Sequence, residues 1–302
     1  MKMMMKHILL ILTALAIAMP AMMAQDADLA AQQPGALFAY PQAPDTCTTL
    51  ESRCNYIITH FWDNYDISKP IDDDAAFEKT FRDYVNFFPY AHRNVVMTAI
   101  RDLVNKAQSN TTNLQKLAIV TEGALYYPSA EYQSDEVYVA FARMFASCQQ
   151  LDKNVREMYA ARLGRINASQ EGETLDFEFT DVNGSKRRLS DVTAENYILM
   201  FLDDSAESSI ARVRMSADVA MNALVDSAQV TVVCICLNKY STEWAQNAAS
   251  YPMNWVVGCS DQILSLIDLR FLPCCYLLDK ERIIANNNLP VSDLLNAVNP
   301  RY

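Results

Sequence analysis

Nowhere in the 302-residue chain are two cysteines spaced as Cys-x-x-Cys. The dithiol that attacks a disulfide and then resolves the mixed intermediate is therefore absent as a motif. Histidine is nearly absent too, with three residues, one of them in the first ten. So few imidazoles, with no clustered thiols beside them, leave no ligand set for a structural or catalytic metal. Basic residues are outnumbered, 25 against 36 acidic ones, for a net charge of −11. That balance excludes binding to nucleic acid or anionic lipid through charge. Long apolar runs are missing beyond residue 20, so no membrane span is expected.

What is present begins with a targeting segment. Lys2 and Lys6 flank an apolar run over residues 8–18, followed by Pro20 and small residues to position 24, the layout of a secretory signal peptide. The run falls short of the roughly 20 residues that a membrane span needs. Residues 1–24 are thus expected to be removed. Cys47 is the first cysteine after them, so a lipid-free exported protein, periplasmic or secreted, is expected. Hydrophobic residues make up 51% of the chain, enough to build the cores of two domains. Of the eight cysteines, Cys234, Cys236, Cys274 and Cys275 lie in apolar runs and read as small buried hydrophobes. Cys47 and Cys54 stand in polar surroundings and form the candidate disulfide, which geometry must decide.

Residues 25–45, rich in Ala, Gln, Asp and Pro without periodicity, read as a flexible linker. Over residues 46–166 the apolar positions follow a helical period. Phe77, Phe81, Tyr84, Val85 and Phe88 mark one face, Val95, Ala99, Ile100, Leu103 and Val104 the next, and three further repeats follow. Pro89 separates the first two helices, and Asp73 and Ser134 are placed to cap helices. This is the pattern of an all-α helical bundle. Residues 167–174 read as a second linker. Beyond them, over residues 175–302, Leu175, Phe177 and Phe179 alternate with polar residues, and Asn183-Gly184 turns a hairpin. Residues 197–202 form a continuous apolar run ending in Asp203-Asp204-Ser205, which predicts a strand buried on both faces and a sharp entry into a helix.

His60-Phe61-Trp62-Asp63-Asn64-Tyr65-Asp66 resembles the start of a helical domain of unknown function that precedes thioredoxin-like domains in exported bacterial proteins. Phe-x-Phe-x-Asp-x-x-Gly from Phe177, then Leu189-Ser190-Asp191, resembles the N-terminal hairpin of TlpA/ResA-like proteins of the thiol-specific-antioxidant branch. Leu272-Pro273 and Leu277-Leu278-Asp279-Lys280 are similar to that family's C-terminal strand and turn, with Pro273 at its cis-proline. The resemblance implies an α+β chain of two domains, a helical bundle followed by a thioredoxin-like α/β sandwich. It also implies that Ala206 and Ser209 stand where the two redox cysteines would be, and that no catalytic residue remains there.

The acids Asp203, Asp204 and Glu207 around the helix start disfavour a thiolate, and the Asp204 to Glu207 spacing suits a capping box. Trp62, Tyr65, Tyr84 and Tyr90 either form a ligand surface or pack between helices, and packing is the commoner use of aromatics. The leading expectation is an exported, non-catalytic binding or scaffolding protein with an unidentified protein or peptide partner and no cofactor. The alternative is a thiol-disulfide oxidoreductase or peroxidase using displaced cysteines. Cys259 precedes an expected helix start that would lower its pKa, and Cys274 and Cys275 adjoin Pro273.

Overall fold

A computed structural model describes residues 34–298; the expected signal peptide and the first part of the expected linker lie outside the described residues. Among the described residues six α-helices come first: α1 (Leu50–His60), α2 (Asp74–Val85), α3 (Arg93–Ala107), α4 (Thr111–Thr121), α5 (Asp135–Ser147) and α6 (Lys153–Ala168). The local chemistry that starts them is visible at their caps. Asp73 accepts from the Ala76 amide at the head of α2, and Ser134 accepts from the Val137 amide at the head of α5, each satisfying an amide that the helix cannot. Pro89 sits in a 3-10 turn over Phe88–Tyr90 that parts α2 from α3. After α4 the chain widens into a π-helical turn, Glu122–Tyr126. The facing sides bury Phe61, Phe81, Tyr84, Phe141 and Phe145 completely, each removing apolar area worth about 2 kcal/mol or more from water.

The expected linker over residues 25–45 is corrected in its second half. Ala36, Phe38 and Tyr40 are buried in the helical core. Phe38 stacks on Tyr65 at 5.2 Å between ring centroids. The Leu37 amide donates to Thr80 Oγ1 at 3.0 Å and the Tyr40 hydroxyl donates to Asp83 at 2.7 Å. Every second residue from Ala36 to Tyr40 is buried, so a stretch without helical period still supplies three core residues.

The second half of the chain forms a mixed seven-stranded sheet. Its strands are β1 (Glu178–Asp181), β2 (Lys186–Arg188), β3 (Asn196–Leu202), β4 (Thr231–Cys236), β5 (Val256–Cys259), β6 (Cys274–Asp279) and β7 (Ile284–Pro290), in the order β2-β1-β5-β4-β3-β6-β7. β3, β4 and β5 run parallel, and the remaining pairs are antiparallel. Helices α7 (Ala206–Ala217), α8 (Val219–Asp226), α9 (Thr242–Ala248), α10 (Ile263–Leu266) and α11 (Val291–Val298) complete it. The apolar run of β3 follows from its central place. Tyr197, Leu199 and Phe201 enter one core, and Ile198, Met200 and Leu202 enter the other with Met215, Met221 and Leu294 from the helices. Asp218 parts α7 from α8, because its carboxylate accepts from the Met221 amide and starts α8 afresh.

Residues 172–175 are not a free link. The Gly172 amide donates to the Ile284 carbonyl at 2.8 Å, and the Leu175 amide donates to the Arg282 carbonyl at 2.9 Å. Helices and sheet also meet around Asp268, which is 2% exposed. Its carboxylate accepts from the Tyr126 hydroxyl and from Arg270 Nε at 2.9 Å, while its amide donates to Ser169 Oγ at 2.8 Å. Arg270 reaches on to Asp135 at 2.6 Å. No helix among the described residues is long and apolar enough to cross a membrane.

Candidate functional site

The carboxyl ends of β3, β4 and β5 meet at one edge of the sheet, where the chain leaves β3 and enters α7. Helix starts at such an edge present unpaired amides to whatever lies there. Here the Ser208 and Ser209 amides are taken by the turn itself. Ser205, not Asp204, is the cap: its hydroxyl oxygen accepts from the Ser208 amide at 3.1 Å, and its carbonyl accepts from the Ser209 amide at 3.2 Å. Asp203 accepts from the Ser205 amide at 3.2 Å and from the Ser208 hydroxyl at 2.6 Å. Burial pushes the Asp203 carboxyl up, but the hydrogen bonds from Ser205 and Ser208 outweigh it and hold the group below the usual carboxylate range. Asp204 turns away and accepts from Asn238 Nδ2 at 2.6 Å. A charge fixed this way leaves little room for a second anion at the helix start.

Ala206 and Ser209 are both exposed, whereas Ser208 is 1% exposed. The two side chains that face each other across the first turn are therefore Ser205, at the cap, and Ser208, inside. The Leu272–Pro273 peptide bond is cis. Since Phe201 pairs with Cys274, Pro273 lies one register step further on, beside Leu202.

Cys274 and Cys275 are fully buried, and burial drives the first thiol well above its usual pKa and the second up to about 12. Cys259 is pushed up to about 11, by burial first and then by the charges of Cys236 and Asp261. The helix start expected to lower it lies too far on, because α10 begins only at Ile263. Cys47 and Cys54 are free thiols rather than a disulfide. Cys54 is buried inside α1, while Cys47 lies before the Thr49 cap of that helix.

Cys236 was read from the sequence only as a buried hydrophobe. It ends β4 with its sulfur 3.3 Å from the Tyr251 hydroxyl. A hydrogen bond with Cys234, its partner on the same strand face, and others with Tyr251 and Trp244 lower its pKa against the effect of burial. Its strand neighbour on the β5 side is Cys259. Residues 255–259, Trp-Val-Val-Gly-Cys, carried the signal for β5, since a short apolar β-branched run reads as a strand.

The aromatic residues of the helices mostly pack. Trp62 and Tyr84 are 5% and 0% exposed, and their rings meet edge to face at 5.6 Å. A different feature of these helices is open. Ile119, Tyr127 and Met158, exposed at 70%, 44% and 40%, line an apolar groove of about 630 Å³. No group of three or more His, Cys, Asp or Glu side chains among the described residues is arranged to hold a metal ion.

Residues 19–169 match the family model described as Domain of unknown function (DUF5106). No curated protein matches the chain. Among solved structures it is similar to a thioredoxin-like protein from Bacteroides caccae, with a TM-score of 0.70 and 18% identity over 88% of this chain and 99% of that one. That likeness makes the fold thioredoxin-like. Two further matches cover 43% of this chain. One is a domain of a possible thiol-disulfide isomerase from Cytophaga hutchinsonii, with 20% identity, a TM-score of 0.35 and 90% of that chain covered. The other is the thioredoxin domain of a thiol-disulfide oxidoreductase from Bacteroides vulgatus, with 19% identity, a TM-score of 0.35 and 96% of that chain covered.

Proposed function

The chain belongs to the family of Domain of unknown function (DUF5106), and from that premise we propose that it is an exported, non-catalytic protein in which a helical bundle precedes a thioredoxin-like domain of TlpA/ResA type. In this reading residues 1–24 direct export to the periplasm or beyond, the bundle spans residues 46–166 and the thioredoxin-like domain spans residues 175–302. The role is binding or scaffolding of a protein or peptide partner in the cell envelope.

One observation carries the non-catalytic part. The turn from β3 into α7 holds Asp203, Ser205 and Ser208 in a closed set of hydrogen bonds, where thiol-disulfide exchange would need an exposed thiolate receiving those same amides. Ala206 and Ser209 can neither attack a disulfide nor resolve one. The burial of Cys274 and Cys275 weighs against exchange by cysteines beside Pro273. The open apolar groove beside Ile119 and Met158 supports binding, because a contiguous exposed apolar patch with a polar rim is commonly an interaction surface.

The test pairs an insulin-reduction assay with a pull-down from envelope extract, using the exported chain. No reduction above the uncatalysed rate, together with specific capture of a protein that is lost on changing Ile119 and Met158 to Lys, is the expected result. Reduction that disappears on changing Cys274 or Cys275 would replace this reading with that of an oxidoreductase.

A further inference from the structure

Two neighbouring strands in the middle of the sheet end in cysteine. In the parallel ladder of β4 and β5, Cys234 pairs with Val257, Ile235 with Gly258 and Cys236 with Cys259. Paired residues point to the same face of a sheet, and residues two apart on a strand share that face. Cys234 and Val257 both enter the core beneath the helices of one side. Two residues further on, Cys236 and Cys259 therefore stand side by side on that same face, at the carboxyl ends of their strands. Adjacent strands lie about 4.8 Å apart, inside the range of roughly 4.4 to 6.8 Å between Cα atoms that a disulfide spans. Both cysteines are free thiols.

Both are buried, at 5% and 1% exposure, but they differ in surroundings. Cys236 has a hydroxyl partner in Tyr251 at 3.3 Å, which stabilises a sulfur that has lost its proton. Among the described residues Cys259 has no such hydroxyl partner, but it lines a cavity of about 240 Å³ with Thr180, Asn238, Tyr240 and Ser260. The cavity opens beside Cys259, one strand spacing from Cys236, and its volume admits small solutes such as hydrogen peroxide. A low-pKa thiol with a second thiol in reach is the arrangement in which oxidation by peroxide ends as a disulfide rather than continuing to higher acids.

We propose that Cys236 and Cys259 are a peroxide-responsive dithiol, with Cys236 as the attacking sulfur and Cys259 as the resolving one. The Cys236 thiolate attacks one oxygen of hydrogen peroxide. A sulfur–oxygen bond forms, the oxygen–oxygen bond breaks, and the departing hydroxide takes up the proton that Cys236 released, leaving as water. Cys259 then gives up its proton and attacks Cys236 Sγ. The sulfur–sulfur bond forms, the sulfur–oxygen bond breaks, and the second hydroxide leaves with the Cys259 proton as water. In sum, two thiols are oxidised and one peroxide is reduced to two waters. The reaction closes once per chain and goes beyond the binding role, on which it does not depend. Its product staples β4 to β5 next to the contact between Asp204 and Asn238.

The experiment treats the purified, fully reduced exported chain with hydrogen peroxide, blocks the remaining thiols, and maps the tryptic fragments by mass. The expected result is an intact mass lower by about 2 Da before blocking and fragments 215–239 and 240–270 joined by a disulfide that a reductant separates. The link persists in Cys234→Ser and is lost in Cys236→Ser. In Cys259→Ser, dimedone traps a sulfenic acid at Cys236. A folded wild-type chain that forms no link, a link that survives Cys236→Ser, or a link lost in Cys234→Ser overturns the proposal. If Cys236→Ser fails to fold, wild type and Cys234→Ser decide the matter between them.

Discussion

The Tyr126 hydroxyl donates to the Asp268 carboxylate across 142 residues of chain. Tyr126 belongs to the π-helical turn that ends α4, and Asp268 follows α10 on the sheet side. Around this bond Arg162 and Arg270 lie over the Tyr126 ring at 4.3 and 5.1 Å. Arg270 Nε also bonds Asp268. The carbonyl of Asp268 accepts from Tyr276 and from Asn288 Nδ2. A buried carboxylate is tolerated only when its charge is matched and its lone pairs are used, and here both halves of the chain contribute to that.

Breaking this junction should therefore cost more than its surface area suggests. Arg270→Met leaves the Asp268 carboxylate buried without its cation and should lower unfolding free energy by about 3 kcal/mol or more. Tyr126→Phe removes one charge-assisted hydrogen bond and should cost about 2 kcal/mol. Urea unfolding followed by tryptophan fluorescence measures both. Midpoints equal to wild type would show that helices and sheet are not held together here.

Asp203 gives the turn a pH dependence whose sign is fixed. Its carboxyl is held below the usual range in the folded chain, so the unfolded state binds the proton more readily. Its stabilisation is fully present above the unfolded pKa of about 4 and is lost as pH falls through the folded value. Asp203 is exposed, so solvent screening holds the effect to a few tenths of a kcal/mol up to about 1 kcal/mol for Asp203→Asn at pH 7, with the difference from wild type closing as pH falls through the folded value. Denaturation series at several pH values test it. A difference that persists unchanged into acid would assign the effect to something other than the carboxylate.

The geometry at the helix start also selects which cysteine pair the turn would accept. Ser205 and Ser208 face each other through the cap, while Ala206 and Ser209 both face solvent. Ser205→Cys with Ser208→Cys should form an internal disulfide in oxidised glutathione more readily than Ala206→Cys with Ser209→Cys, by about tenfold or more in equilibrium constant, since a strained or misdirected pair stores several kcal/mol. Thiol counts after equilibration read the difference. Equal values would mean that the turn rearranges freely.

Gly258 is a tight point next to Cys259. A Cβ at Gly258 would lie 2.3 Å from Phe179 Cδ2 and 3.1 Å from the Thr180 carbonyl oxygen, because β1 pairs directly with this part of β5. Gly258→Ala should destabilise by about 1 to 3 kcal/mol through overpacking, seen as a lower thermal midpoint. An unchanged midpoint would contradict the close approach of the Phe179 ring.

What the sequence by itself determined is what short-range physics decides. The helical period across residues 77–163, the caps at Asp73 and Ser134, the break at Pro89 and the hairpin at Asn183-Gly184 all depend on groups within about one turn of each other. The buried character of β3 was legible for the same reason, as a run of apolar residues without alternation. Only the tertiary structure decided that Phe38 and Tyr40 join the helical core, that Ser205 rather than Asp204 caps α7, that Asp268 finds Tyr126, and that Cys236 stands beside Cys259. All but the cap depend on register or docking between segments distant in sequence, and at the cap the distant residue Asn238 takes Asp204. A one-residue change of register would turn every side chain of β5 to the other face, so no local pattern around Cys259 could place it next to Cys236.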